Sequence, residues 1–112
     1  MRRGDLVTIA LSGDYGKPRP ALVGQADAFD GLTSLTLLRV TSELRDWPLF
    51  RITVEANGGT GLQKRSQVMV DKAATVPRSR IGQRIGCLDT DTMQAVSTAL
   101  AKFLGIDRYR GR

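Results

Sequence analysis

The sequence predicts a mainly β domain that ends in a single α-helix. Short runs rich in Val, Ile, Thr and Leu recur up to Leu88, and Gly, Pro, Asn and Asp separate them. After Leu88 the apolar residues change to helical spacing. Several short strands followed by one helix are typical of a small, strongly curved antiparallel sheet or barrel that the helix covers.

Each predicted strand is bounded by residues that favour turns. The strands span residues 6–11, 19–25, 34–40, 50–55, 66–70 with a continuation at 73–76, and 83–88. Residues 12–18 form a loop, 26–33 a turn or short irregular helix, and 43–48 a polar loop that holds the only tryptophan. The glycine-rich stretch 57–61 is the strongest turn signal, and Pro77 favours one helical turn over 77–81.

The one long helix is predicted at Thr90–Leu104. Asp89 or Thr90 caps its start, and Asp91 lies near the positive end of the helix dipole. Gly105 favours termination. Helical spacing places one apolar stripe on the side that packs against the sheet: Met93, Val96, Leu100, Phe103 and Leu104. Residues 106–112 are expected to form a frayed tail on a single domain that spans 1–112.

The charge and the reactive side chains limit the function. Seventeen Lys and Arg against eleven Asp and Glu give a net charge of +6, which favours an anionic partner such as a nucleic acid, although many basic proteins carry such charge for solubility alone. The chain has no histidine, and its one cysteine, Cys87, has no partner for an intrachain disulfide. A reduced, cytoplasmic setting is therefore expected, with Cys87 in the core. No metal site, no cofactor and no membrane-spanning segment are predicted.

The clearest functional signal lies where a Gly- and Pro-rich loop runs into the apolar strand 19–25. Arg19 stands at this junction, and Pro20 biases it toward extended backbone. A guanidinium there presents five donors in a planar fork that suits a phosphate. Arg19 is therefore a candidate phosphate-binding residue, and a plain surface charge beside a turn is the alternative.

Five segments stand in an order that is typical of one protein family. They are Arg3-Gly4-Asp5-Leu6-Val7, Arg19-Pro20-Ala21-Leu22-Val23, Val40-Thr41-Ser42, Gly61-Leu62 with Ser66-Gln67-Val68-Met69-Val70-Asp71, and Arg80-Ile81-Gly82-Gln83-Arg84-Ile85-Gly86. In this order and at these spacings they resemble the PemK/MazF family of toxin endoribonucleases over nearly the whole chain.

The resemblance implies an SH3-like barrel of the kind shared by PemK, MazF and CcdB toxins. It implies a homodimeric toxin of a toxin–antitoxin system that cleaves single-stranded RNA, including messenger RNA, at selected sequences without a metal ion. It also implies a cognate antitoxin whose acidic tail occupies the RNA groove. By position, Arg19 corresponds to the family's catalytic arginine, Thr41 to its active-site threonine and Asp71 to its aspartate after the fifth strand. Ser42 is a candidate to share the role of Thr41.

The implied chemistry needs no group beyond the RNA and the protein. The 2′-hydroxyl of the RNA attacks the adjacent phosphorus and leaves a 2′,3′-cyclic phosphate and a 5′-hydroxyl. Arg19 suits charge stabilisation but a guanidinium stays protonated, so the candidate proton acceptors are carboxylates. These are Asp14, Glu43 and Asp71. The predicted RNA contacts are basic or aromatic side chains: Lys17, Tyr15, Trp47, Lys64, Arg65 and Lys72.

Departures from the family pattern keep two other functions open. The loop before Arg19 lacks the family's glutamate, Lys72 replaces a glutamine, and Met69 stands where some members have an arginine. One alternative is a toxin of the CcdB group, which poisons DNA gyrase by binding it. The other is a nucleic-acid-binding barrel without catalytic activity.

Overall fold

The computed structural model describes residues 1–10 and 17–112, which contain a β-sheet and a C-terminal helix. The strands are β1 Asp5–Ile9, β2 Arg19–Val23, β3 Ser34–Thr41, β4 Arg51–Val54, β5 Ser66–Pro77 and β6 Ile81–Cys87, and the helix α1 is Thr90–Leu104. Short 3₁₀ turns at Asp27–Phe29 and Arg78–Arg80 lie in the two segments whose sequence predicts a short irregular helix and a helical turn.

The strands form one antiparallel sheet in the order β4-β5-β3-β2-β1-β6. This confirms the predicted mainly β fold with a C-terminal helix. Within the described residues β4 and β6 are the edge strands, and no ladder of hydrogen bonds joins them. The glycine-rich turn after β4 nevertheless reaches the other edge, where the Cys87 N–H of β6 donates to the Gly59 carbonyl at 3.0 Å. The curved sheet therefore brings its two edges together through a loop.

β5 is one unbroken strand with a bulge, whereas the sequence predicts a strand at 66–70 with a continuation at 73–76. Its pairing with β3 passes from Ala73 opposite Leu38 directly to Met69 opposite Arg39, so residues 70–72 are extra on the β5 side. The polar residues 71 and 72, whose sequence predicts an interruption, lie inside this irregularity. A bulge accommodates such residues without ending the strand.

Alternate residues of the central strands fill two apolar clusters, one on each face of the sheet. On the first face Leu6, Leu22 and Leu38 pack in one cluster with Val96 of α1, which is fully buried. The second cluster takes residues that alternate with these: Val7, Ile9, Ala21, Val23, Leu35 and Leu37. β1, β2 and β3 are therefore the well-buried centre of the domain.

α1 has the predicted bounds. The Asp89 side chain accepts a hydrogen bond from the Thr92 N–H at 2.7 Å, which caps the helix and holds the pKa of that carboxyl below its usual value. Gly105 ends the helix with a φ of 72°. The predicted apolar stripe packs only in part, because Phe103 and Leu104 are 53% and 56% exposed near the end of the helix.

The surface differs from the sequence-based expectation at one cysteine. Cys87 is exposed, because it belongs to an edge strand and its neighbour Gly86 takes the buried position, so its predicted place in the core is wrong. Residues 106–112 follow α1 in exposed, irregular structure. No helix in the described part of the chain is long and apolar enough to cross a membrane.

Candidate active site

A groove of about 610 Å³ opens at one end of the central strands. Its walls are the start of β2, the end of β3 and the loop between β4 and β5, at residues 18–20, 39–42 and 61–64. Thr8 of β1 and Ile85 of β6 also contribute to the lining. Four of the predicted site residues come together here: Arg19, Thr41, Ser42 and Lys64.

Arg19 and Thr41 line the same groove, and the pairing of β2 with β3 accounts for this. The observed pair nearest this end of the strands joins Ala21 to Arg39. Continued for two more residues, the same register would set Arg19 opposite Thr41. Side chains directly opposed in an antiparallel pair stand about 5 Å apart at Cβ. A guanidinium and a hydroxyl therefore face the same part of the groove.

The Thr41 hydroxyl is oriented by the turn that follows β3. Its Oγ1 accepts a hydrogen bond from the Glu43 N–H at 3.1 Å. That bond uses a lone pair and leaves the hydroxyl proton available for a phosphate oxygen. Ser42 is exposed beside it in the groove lining. The two residues thus offer two hydroxyls to a bound anion.

The loop that follows Ser42 is held by Gln67, a buried residue of β5 that the sequence analysis missed. The Gln67 amide oxygen accepts from the Arg45 N–H at 3.0 Å and from Arg51 Nη1 at 3.1 Å. Its amide nitrogen donates to the Arg45 carbonyl at 3.0 Å. A buried amide with these partners fixes where the loop leaves the groove. No local signal marks Gln67, since these partners lie 22 and 16 residues away along the chain.

Trp47 lies in that loop and outside the groove lining. The Arg51 guanidinium carbon is 5.1 Å from the centroid of the Trp47 ring, and the Phe50 ring stacks on it with centroids 5.5 Å apart. The Trp47 side chain is 45% exposed. These contacts give Trp47 a structural part in the loop, and an RNA contact by its ring stays a prediction.

The predicted basic contacts are spread around the groove. Lys64 lines it, and Lys17 is exposed beside residue 18 of the lining. Arg65 is exposed outside the lining, where its Nε donates to Glu55 Oε1 at 2.9 Å. Tyr15 lies outside the described residues. Of the described members of this set, the structure therefore brings only Lys64 directly into the groove wall.

The candidate proton acceptors among the described residues are not part of the groove lining. Asp71 is in the β5 bulge, with Oδ2 3.8 Å from Lys72 Nζ, and its buried Oδ1 finds no hydrogen-bond donor among the described residues. Glu43 forms an ion pair with Arg45. Asp14 lies outside the described residues. Across residues 1–10 and 17–112, no three His, Cys, Asp or Glu side chains gather closely enough to hold a metal ion.

Arg39 lines the groove, although the sequence analysis did not single it out. It is half-buried in β3 between Leu38 and Val40. The signal in the sequence that could have pointed to Arg39 was a charged residue inside an apolar predicted strand. Its place beside Arg19 follows only once β3 is paired with β2, because the two residues are far apart in sequence.

The sequence and the fold both match known toxins. Residues 2–104 match the family model of the PemK-like, MazF-like toxins of type II toxin–antitoxin systems. The chain belongs to this family. It is 47% identical over 107 residues to a Mycolicibacterium smegmatis protein named "Probable endoribonuclease MazF", and the match covers 95% of this chain and 98% of that protein. The predicted family, toxin function and endoribonuclease class are confirmed.

Solved structures of MazF toxins share the arrangement of sheet and helix. A MazE–MazF structure from Deinococcus radiodurans is 27% identical, with a TM-score of 0.76 and coverage of 94% of this chain and 95% of that chain. The Mycobacterium tuberculosis toxin MazF-mt6 is 24% identical, with a TM-score of 0.77 and coverage of 90% and 96%. This second likeness concerns the fold alone.

Proposed function

We propose that this MazF-like toxin cleaves single-stranded RNA, messenger RNA included, in the groove formed by the start of β2, the end of β3 and the loop between β4 and β5. The cleavage needs no metal ion, and Arg19 and Thr41 carry it. The observation behind this proposal is that Arg19 and Thr41 line the same groove, at the adjoining ends of two strands paired through Ala21 and Arg39. Family membership and the relative named as an endoribonuclease support the reaction class.

The reaction is an internal transesterification of the RNA. The 2′-oxygen attacks the adjacent phosphorus, so that a P–O2′ bond forms while the P–O5′ bond breaks. The 2′-hydroxyl gives up a proton and the departing 5′-oxygen takes one up. The products are a 2′,3′-cyclic phosphate and a 5′-hydroxyl, and no water is consumed. Because the RNA supplies the nucleophile, the protein has to align the strand and stabilise charge.

Arg19 suits the charge-stabilising task. Negative charge grows on the non-bridging oxygens during attack, and a guanidinium donates parallel hydrogen bonds to such oxygens. The Thr41 hydroxyl donates another, because the Glu43 N–H already holds its oxygen in place. Ser42 is the neighbouring hydroxyl that contacts the RNA backbone beside the scissile phosphate.

None of the described residues that line the groove carries a carboxylate. Asp71 and Glu43 are not part of that lining, so the proposal gives neither a contact with the reacting atoms. Asp14 lies outside the described residues, and solvent water enters an open groove. We therefore propose that water or Asp14 accepts the proton of the 2′-hydroxyl. Asp71, in the β5 bulge, then has a supporting role.

The RNA strand is held mainly through its phosphates. Lys64 stands in the groove wall and Lys17 beside the start of β2, on a chain whose net charge is +6. Arg65 and Lys72 add attraction from outside the groove. Binding of this kind is sequence-tolerant and weakens as salt rises. Contacts with the bases then have to provide the sequence selectivity.

The toxin is further proposed to act in the cytoplasm as a homodimer that an acidic antitoxin neutralises. The related Deinococcus radiodurans MazF forms a MazE–MazF structure. A basic groove on a chain of charge +6 suits an acidic peptide as well as RNA. The two ligands should therefore compete for the same side chains.

Substitution of Arg19 tests the proposed function. Arg19 is exposed at the start of β2, so Arg19→Ala should keep the melting temperature within about 3 °C. Its kcat for RNA cleavage should fall by about 10²–10³-fold. Arg19→Lys should recover little, since an ammonium lacks the planar fork. A folded Arg19→Ala protein that cleaves RNA like the wild type would refute the proposal.

A further inference from the structure

Arg39 brings a second guanidinium into the groove beside Arg19. Arg39 and Thr41 are two residues apart on β3, so their side chains share a face. Ala21 of β2 lies opposite Arg39, and Arg19 is two residues from Ala21 on that same face. The four residues therefore occupy the corners of one cross-strand patch.

The dimensions of this patch bring both guanidinium groups within reach of one phosphate. Arg19 and Arg39 stand on a diagonal of the patch, and diagonal neighbours in an antiparallel pair are about 7–8 Å apart, which long side chains span. Ala21 at the remaining corner is fully buried and carries only a methyl group. Both arginines line the groove.

Arg39 places a charged side chain at a half-buried position of a central strand. Its neighbours Leu38 and Val40 are buried in the core, and the strand is central in the sheet. An apolar residue would extend the core there, whereas a charged one has to be kept hydrated or bound. With Arg19 and Lys64 it makes the groove wall strongly basic, which raises the local concentration of a polyanion.

We propose that Arg39 contacts the scissile phosphate together with Arg19 and is a catalytic residue of this toxin. The assignment rests on the proposed RNA cleavage in this groove. Arg19 reaches the phosphate from the start of β2 and Arg39 from β3, so each non-bridging oxygen meets a guanidinium. Charge builds on these oxygens as the 2′-oxygen attacks, and both contacts strengthen in the transition state.

Arg39→Met tests the assignment, because methionine keeps an apolar stem in the half-buried site and removes the charge. With a short RNA, kcat should fall by about 10²-fold and KM should change by less than about threefold. Arg39→Lys should restore part of kcat, since it returns the charge without the fork. Arg108→Ala removes an arginine from the exposed tail and should change neither constant.

A phosphorothioate at the scissile position gives a second readout that a purely structural role would not move. Sulfur in place of one non-bridging oxygen weakens the hydrogen bond to a guanidinium. The wild type should therefore cleave one diastereomer more slowly than the all-oxygen RNA, and this difference should shrink in Arg39→Met and in Arg39→Lys. If Arg39→Met does not fold, the two RNAs are compared with Arg39→Lys instead.

The possible results separate two failures. An unchanged kcat in folded Arg39→Met, or a rise in KM at constant kcat, overturns the catalytic role of Arg39. A wild-type protein that does not cleave RNA overturns the proposed function instead. A fall in kcat with a constant KM, together with partial rescue by lysine, supports the assignment.

Discussion

The contact between β6 and the glycine-rich turn after β4 predicts a strict size limit at Gly86. In Gly86→Ala the new Cβ would lie 2.3 Å from the Thr60 carbonyl oxygen and 2.4 Å from that of Gly59. Real Cβ atoms essentially never come within 3.0 Å of an atom beyond their own residue and its chain neighbours, so the turn has to move by roughly 0.7 Å or more. Both contacts are with backbone, so no side-chain rotation relieves them.

The displaced turn carries hydrogen bonds that this movement breaks. The bond from the Cys87 N–H to the Gly59 carbonyl, at 3.0 Å, contributes about 0.5–1.5 kcal/mol net. The buried Thr60 hydroxyl donates to the Glu55 carbonyl at 2.8 Å, and its loss of a partner costs about 1–3 kcal/mol. Gly86→Ala should therefore lower the free energy of unfolding by about 2–4 kcal/mol, which corresponds to a fall in Tm of roughly 10–25 °C.

Thermal unfolding followed by circular dichroism measures the effect. Gly31→Ala is the matched control, because a Cβ at Gly31 meets no atom within 4 Å, and it should shift Tm by less than about 5 °C. RNA cleavage should also fall in Gly86→Ala, because Gly61 and Leu62 of the displaced loop line the groove. If Gly86→Ala has the same Tm as the Gly31→Ala control, the contact between β6 and the turn after β4 does not support the groove.

Two further predictions concern the groove charge and the helix cap. Lys64→Ala should weaken RNA binding and reduce the slope of log affinity against log salt by about 0.7. Arg65→Ala should change the affinity and the slope less, because Arg65 pairs with Glu55 outside the groove. Anisotropy titrations at several salt concentrations compare the two variants. Asp89→Ala should lower Tm at neutral pH. Since the Thr92 N–H lowers the pKa of the Asp89 carboxyl, this stabilisation is present above the unfolded pKa and is lost as pH falls through the folded pKa. Melting curves taken into acid should therefore converge with those of the wild type, and a difference that persists there contradicts the cap.

Signals that are local in sequence predicted the helix and the positions of the strands. α1 begins and ends where predicted, because its cap at Asp89 and its terminator at Gly105 are adjacent to it in the chain. The Arg19 junction was equally local, since Pro20 alone biases its backbone. The strand ends were predicted less closely, because pairing with neighbours decides where a ladder stops.

Features that depend on pairing were not accessible from the sequence. Arg39 enters the groove because β3 lies opposite Ala21 in a particular register, and Gln67 holds a loop that is distant along the chain. The exposure of Cys87 depends on β6 being an edge strand. The placement of Asp71 in a bulge depends on the register shift between β3 and β5.

The ends of the cleaved RNA test most directly the claim that the RNA supplies its own nucleophile. Purified protein is incubated in EDTA with a mixed-sequence RNA and with a copy that carries a single 2′-deoxy nucleotide at the cleavage site. The normal RNA should be cut to 2′,3′-cyclic phosphate and 5′-hydroxyl ends, and the deoxy copy should remain intact at that position. A protein that cut neither RNA, in EDTA or with added divalent metal ion, would act by binding alone, as a gyrase poison or a non-catalytic barrel does. Cleavage of the deoxy copy, or a requirement for a divalent metal ion, would contradict the account.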